Sequence, residues 1–131
     1  MAGLILETTF LVDLERELLA GRPGPAQGFL AERREESLYL TFTVAGEVAA
    51  GLGAGDRGRW EQSLGPIQVL PASADVCWAY GRAYQYLRTN GLLIGANDLW
   101  IAATALAFNK SLVTRKVREF QRVPGLDVVG Y

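Results

Sequence analysis

Short apolar runs alternate with longer stretches of helical spacing along this chain, and few folds accommodate that alternation. The runs are Leu4-Ile5-Leu6, Leu38-Tyr39-Leu40-Thr41-Phe42, Ile67-Gln68-Val69-Leu70, Ser111-Leu112-Val113-Thr114 and residues 126–129. Each has the length of a strand. Between them, Thr8 or Thr9 can cap a helix that carries Phe10, Leu11, Leu14 and Leu18 on one stripe. Gly21-Arg22-Pro23-Gly24-Pro25 breaks that helix, and a second is expected over 26 to about 34. Thr43 can cap a helix to about Gly51; a loop over 53–58 and a helix over 59–64 follow. Ser73 can cap a long helix that ends near Asn90-Gly91. Asn97 can cap another, over 98 to about 108, whose residues 99–106 are apolar almost all round, as in a buried helix. Residues 117–122 make a short helical turn. Strands alternating with helices argue an α/β fold whose mostly parallel sheet is covered on both faces.

The 131 residues suit one domain, 1–131, and are too few for two ordinary ones. Half of them are hydrophobic, enough for a core without staples. The lone Cys77 allows no internal disulfide, which suits a reducing, cytoplasmic setting. No apolar run nears the roughly 20 residues of a membrane span. The start, Met1-Ala2-Gly3-Leu4-Ile5-Leu6, lacks the basic region of a signal peptide.

Chemistry is constrained by an absence: the chain has no histidine. That removes the commonest general base, the Ser-His-Asp and Cys-His arrangements, and an ordinary zinc site. Carboxylates, lysine, tyrosine or hydroxyls must act, and hard oxygen-seeking cations are their natural helpers. Net charge is −1, yet Lys110, Arg115, Lys116, Arg118 and Arg122 crowd into a stretch with one acid, Glu119. Such a patch can touch phosphates, or can be a solvated helix face.

Four acids stand out. Glu7 ends the first strand, where ligands collect in open α/β sheets. Glu47 lies on a helix of small and apolar residues, beside Thr43, Ala50 and Gly51, which leave space for a cation. Asp98 falls in the first turn of the buried helix, where the dipole favours an anion. Glu119 follows Thr114 among basic residues. Each alone also reads as a turn acid, a solvent-facing side chain, a first-turn acid or half of a surface ion pair. As a set, three are expected beyond strand ends and one on an apolar helix. Assembled carboxylates repel unless a proton or metal intervenes, and Mg²⁺ or Mn²⁺ held by a few of them can activate water against a phosphodiester.

These segments resemble the motifs of PIN-domain ribonucleases of the VapC toxin type. Leu6-Glu7-Thr8-Thr9-Phe10-Leu11-Val12-Asp13-Leu14 looks like the opening motif, and Thr43-Val44-Ala45-Gly46-Glu47-Val48-Ala49-Ala50-Gly51-Leu52 like the second. Ile94-Gly95-Ala96-Asn97-Asp98-Leu99-Trp100-Ile101-Ala102-Ala103-Thr104-Ala105-Leu106-Ala107 is the most specific match. Leu112-Val113-Thr114-Arg115-Lys116-Val117-Arg118-Glu119-Phe120, with Val123-Pro124-Gly125-Leu126, resembles the closing motif. The resemblance spans essentially the whole chain. It implies a three-layer α/β/α sandwich with four or five parallel strands. It implies a Mg²⁺- or Mn²⁺-dependent endoribonuclease, the toxin of a toxin–antitoxin pair, with RNA, an antitoxin and a second copy as partners. Metal roles fall to Glu7, Glu47 and Asp98, a supporting acidic role to Glu119, and hydroxyl roles to Thr9 and Thr114. Arg115, Lys116 and Arg118 are candidates for RNA phosphates.

Two departures accompany the likeness. Glu7 stands where the family has Asp, one methylene further out. In the closing motif Lys116 replaces Asn or Asp, and Glu119 replaces Asp. Lys116 can pair with an acid, hold RNA phosphate or compete with metal. These departures keep a second reading open, a PIN module that binds RNA or a partner without turnover. A third, an unrelated flavodoxin-like regulatory domain, would require the four carboxylates to be scattered. Among the large aromatics Trp60, Trp78, Tyr80, Tyr84, Tyr86 and Trp100, the face of Tyr80, Tyr84 and Leu87 is expected to serve the core, with a dimer or antitoxin groove as the alternative.

Overall fold

The computed structural model describes residues 3–51 and 56–131. Strand β1 (Leu4–Leu6) is followed by helices α1 (Thr8–Ala20) and α2 (Pro25–Ala31), then strand β2 (Leu38–Thr41). Helices α3 (Phe42–Gly51) and α4 (Arg57–Leu64) lead to β3 (Gln68–Leu70). Helices α5 (Ala74–Thr89) and α6 (Ala96–Ala107), strand β4 (Ser111–Val113), helix α7 (Val117–Phe120) and strand β5 (Val128–Val129) complete the order. The strands form one parallel sheet in the order β3-β2-β1-β4-β5, layered between helices. The chain moves outward from β1 to β3, then returns to β4 on the other side of β1. The order therefore reverses between β1 and β4, and the crevice beyond their carboxyl ends is where such sheets bind ligands.

Strand β1 is buried along its length because it has neighbours on both sides and helices over both faces. Ile5, Leu6, Leu40, Leu112 and Val113 join Phe10, Leu87, Leu99, Ile101 and Phe120 in one hydrophobic cluster. Removing each large aliphatic side chain from water contributes about 1.5–3 kcal/mol. Helix α6 is the buried helix its composition announced: Leu99 and residues 101–105 are all inaccessible. Tyr80 and Tyr84 are half-buried and Leu87 wholly so; Tyr80 stacks on Trp100 at a ring separation of 3.9 Å. That face of α5 is core. Trp78 and Tyr86 are its exposed aromatics.

Several boundaries and caps differ from the expectations. The α1 cap is the Glu7 carboxylate, which accepts from the Thr9 amide, with Thr8 and Thr9 already helical. Thr41, not Thr43, receives the Val44 amide, because the helix starts directly where β2 stops. Gly95 occupies the cap of α6, placing Asn97 in its first turn. Leu18 is exposed. A 13-residue helix is about 20 Å long while a three-residue strand spans about 10 Å, so the last turn of α1 outruns the sheet. Residues 53–55 of the expected 53–58 loop, Leu52 of the second motif, and Met1 and Ala2 lie outside the described residues. Arg57 and Gly58 belong to α4.

The break between α1 and α2 is held by a cap supplied from the preceding helix. Gly24, at the α2 cap, has no side chain to offer, and the Glu17 carboxylate accepts the Ala26 and Gln27 amides at 2.8 and 2.9 Å. A Cβ on Gly24 would collide with that carboxylate. Desolvation works to raise the Glu17 pKa, but the two amides and the Gln27 side chain outweigh it and hold the carboxyl below its ordinary value. The stabilisation is therefore present above the ordinary glutamate range and is lost as pH falls through the lowered value. Glu17→Gln should lower the melting temperature at pH 7. The gap to the parent chain should shrink steadily as thermal melts are run at more acidic pH.

Candidate active site

Glu7 lies one residue beyond β1, and its amide continues the ladder by donating to the Val113 carbonyl at 3.0 Å. Thr114 does the same beyond β4, donating to Val129 at 3.0 Å. The sheet thus fixes both backbones in the crevice at the order reversal. The Glu7 residue is 1% exposed, an unusual position for an acid. A buried charge must be hydrogen-bonded or paired. The Thr9 and Thr114 hydroxyls each donate to Glu7 Oε1 at 2.5 Å, and the Thr9 amide adds a third bond at 3.2 Å.

A hydroxyl has one proton, and both protons are directed at Oε1. The 3.3 Å approach of Thr9 and Thr114 is then a contact between acceptors rather than a further bond. Their lone pairs are used as well. Thr9 Oγ1 accepts the Arg115 amide at 3.0 Å, and Thr114 Oγ1 accepts the Lys116 amide at 2.9 Å. The turn after β4 is therefore tied to the β1–α1 junction through the two threonines.

The other acids surround this centre with partners of their own. Glu47, exposed on α3, accepts from Thr8 Oγ1 at 2.7 Å. Thr43, one helical turn before it, keeps a buried hydroxyl with no hydrogen-bond partner among the described residues. Asp98, in the first turn of α6, accepts from Lys116 Nζ at 2.5 Å. Burial alone would lower the Lys116 pKa, yet the hydrogen bond and charge of Asp98, with Glu7 and Glu119 behind them, hold it above the ordinary lysine value. Glu119 is exposed on α7, as is Arg118.

The expectation of three acids beyond strand ends is corrected for Asp98. Its helix follows α5, and it reaches the sheet only through the packing of α6 on β2 and β4. Among the described residues no three Asp, Glu or Cys side chains converge closely enough to hold an ion. In kind, the donors fit a hard divalent cation: carboxylates and hydroxyls, with no histidine in the chain and Cys77 exposed. In arrangement, Glu7 and Glu47 accept from threonine hydroxyls and Asp98 accepts from the Lys116 ammonium.

The basic stretch does not form one patch. Lys110 sits at the opposite end of β4, over the Tyr39 ring at 4.2 Å. Arg122 is bound to the Leu93 carbonyl at 3.2 Å. Arg115 pairs with Asp13 at 3.3 Å. Asp13 also accepts from the Tyr131 hydroxyl at 2.5 Å. Burial first, then that hydrogen bond and the Asp13 charge, push the Tyr131 pKa up. Sequence reasoning passed over Thr8, Asp13 and Tyr131. The spacing of Thr9 and Asp13 on one helical face was the available sign for Asp13; nothing local marks Tyr131.

The PIN domain family matches residues 4–126. The chain belongs to the PIN-domain family and is of the VapC type. It is 36% identical over 99 residues to ribonuclease VapC1 of Haemophilus influenzae strain R2866, covering 70% of this chain and 72% of that one. The VapBC-1 structure from nontypeable Haemophilus influenzae superposes with a TM-score of 0.80 at 28% identity, over 97% of this chain and 96% of its counterpart. VapBC2 from Rickettsia felis, solved bound to a DNA fragment from its promoter, gives a TM-score of 0.78 at 26% identity and 97% coverage of both chains. This family match sets aside the flavodoxin-like alternative, although the acids do not form a three-ligand cluster.

The hydroxyls beneath Glu7 give a direct stability prediction. Thr114→Val keeps the shape but leaves a buried carboxylate short of a donor. It should lower the unfolding free energy by about 1–3 kcal/mol, read as a lower urea midpoint; Thr114→Ser should recover most of the loss.

Proposed function

We propose that this chain is an endoribonuclease toxin of the VapC type, cleaving RNA phosphodiesters and paired with an antitoxin protein. The observation that carries the reading is the position of Glu7, Thr9 and Thr114 at the order reversal of the sheet, with Asp98 reaching the same crevice through Lys116. The family match supports the reaction class.

In this reading Glu7, Glu47 and Asp98 hold Mg²⁺ or Mn²⁺, and Glu119 supports them. When bound, the ion supplies Lewis-acid stabilisation of phosphate charge and a more acidic water. The chain's own groups do the positioning. Thr9 and Thr114 fix the Glu7 carboxylate, so its orientation is set before any ligand arrives. The Thr8 hydroxyl orients Glu47 across the α1–α3 junction. Arg115 and Arg118 are exposed and can donate to phosphates of a bound strand, with Lys116 as a third cation.

A groove of about 470 Å³ beside Glu47 is lined by Leu11, Val12, Val44 and Val48. An apolar segment of the antitoxin suits it, because an occupant there would lie beside a metal-site acid and obstruct RNA. The VapBC likeness supports such a partner. A homodimer and a cytoplasmic setting complete the proposal. Among the described residues no helix is long and apolar enough to cross a membrane.

A second reading, a PIN module without turnover, is favoured by the Lys116–Asp98 bond and by the saturation of Glu7 Oε1. Cleavage of a structured RNA pool with Mg²⁺ and then Mn²⁺ separates the two. The nuclease reading expects metal-dependent cutting that Asp98→Asn and Glu47→Gln reduce by more than about 100-fold, beyond the roughly 10–100-fold typical of outer-shell changes. Activity confined to Glu7→Asp would assign the impaired module to this chain.

RNA binding, measured by filter retention across a salt series, should weaken steeply as salt rises. Arg115→Ala and Arg118→Ala should each reduce the slope of log K against log[salt] by about 0.7. An affinity unchanged between low and high salt would remove both arginines from the phosphate path.

A further inference from the structure

Lys116 is fixed to the acidic crevice at both ends. Its backbone amide donates to Thr114 Oγ1, the hydroxyl that donates to Glu7. Its ammonium donates to Asp98 Oδ2 at 2.5 Å. The two side chains of that pair are 34% and 20% exposed, so solvent screens it only in part. The same ammonium lies over the ring of Phe120, a fully buried residue, with Nζ 5.8 Å from the centroid. Glu7 and Glu119 are close enough for their charges also to act on the ammonium. Among the described residues, this is the single cation hydrogen-bonded to any of Glu7, Glu47, Asp98 or Glu119.

Carboxylates gathered at one crevice need positive charge nearby. A divalent ion brings two charges and draws several oxygens inward. An ammonium brings one charge, and here it engages one oxygen of one acid. A divalent ion that uses Asp98 Oδ2 must displace the ammonium, and one that uses Oδ1 lies beside a like charge that repels it.

We propose that Lys116 is a tethered counter-ion of this site, competing with a divalent cation for Asp98 and weakening metal binding until it swings away. The inference rests on the reading of these acids as a metal site and adds an intramolecular competitor to it. Lys116 is in this sense a positioning and gating residue rather than a catalytic one.

Lys116→Met tests it, since Met keeps an unbranched side chain of similar length and removes the charge. Mn²⁺ is the probe, with free ion measured by electron paramagnetic resonance at neutral pH and no RNA present. The expected result is an affinity at least about tenfold tighter in Lys116→Met than in the parent chain, the scale on which close neighbours of metal ligands act. Lys116→Arg, which keeps the charge, should stay near the parent. Metal-free Lys116→Met should melt lower than the parent, because the acids have lost their counter-ion, and Mn²⁺ should raise its melting temperature by more than it raises the parent's. If Lys116→Met fails to fold by circular dichroism, Lys116→Gln carries the same comparison. Indistinguishable Mn²⁺ affinities, or weaker binding in the charge-free variant, would overturn the inference and leave the metal site standing. No Mn²⁺ binding by either chain would overturn both.

Discussion

The buried carboxylate of Glu7 organises the crevice around it. It sits at the end of the central strand, and its charge can be tolerated there only because two hydroxyls and an amide converge on one oxygen. Hydrogen bonds to an ionised acceptor are stronger than neutral ones, so this cluster joins the start of α1 to the turn after β4 firmly. The same two threonines receive the amides of Arg115 and Lys116. The path of the basic turn is therefore set by what Glu7 requires.

From that junction the remaining acids follow by packing. Helix α6 is buried because it covers the sheet over β2 and β4, and Asp98 in its first turn is carried to the crevice as a consequence. Helix α3 starts where β2 ends, which brings Glu47 alongside Thr8 at the start of α1. The sheet thus delivers acids from separate segments to one end of the molecule. Glu7 and Glu47 have hydroxyl donors there, and Lys116 supplies positive charge to Asp98 from within the chain.

Much of the fold was legible because its causes are local. The apolar run of β1, the all-round apolar surface of α6, the Ser73 cap and the Gly-Pro break after α1 each follow from residues close in sequence. The caps at Glu7 and Thr41 differ from the expected ones because a helix that begins directly at a strand end, or one residue beyond it, leaves no separate capping residue to find, whereas Gly95 has no side chain to mark the start of α6. Leu18 shares the apolar stripe of α1 yet is exposed, because helical periodicity carries no information on where the sheet beneath a helix stops. The basic stretch looked continuous in sequence, yet β4 and α7 carry its members to different ends and partners.

The sequence by itself determined the chemistry available: hard oxygen donors without histidine, a parallel α/β order, and the motif positions of Glu7, Glu47, Asp98 and Glu119. Those properties depend on residue type and near-neighbour spacing, which a chain displays before it folds. Only the tertiary structure decided that Glu7 is buried beneath Thr9 and Thr114, that Tyr131 closes on Asp13, and that Lys116 lies on Asp98. Apart from the Thr9–Glu7 pair, two positions apart, these contacts join residues from 18 to 118 positions apart. They are set by how the helices pack on the sheet, and no local pattern specifies which distant donor will meet which acid.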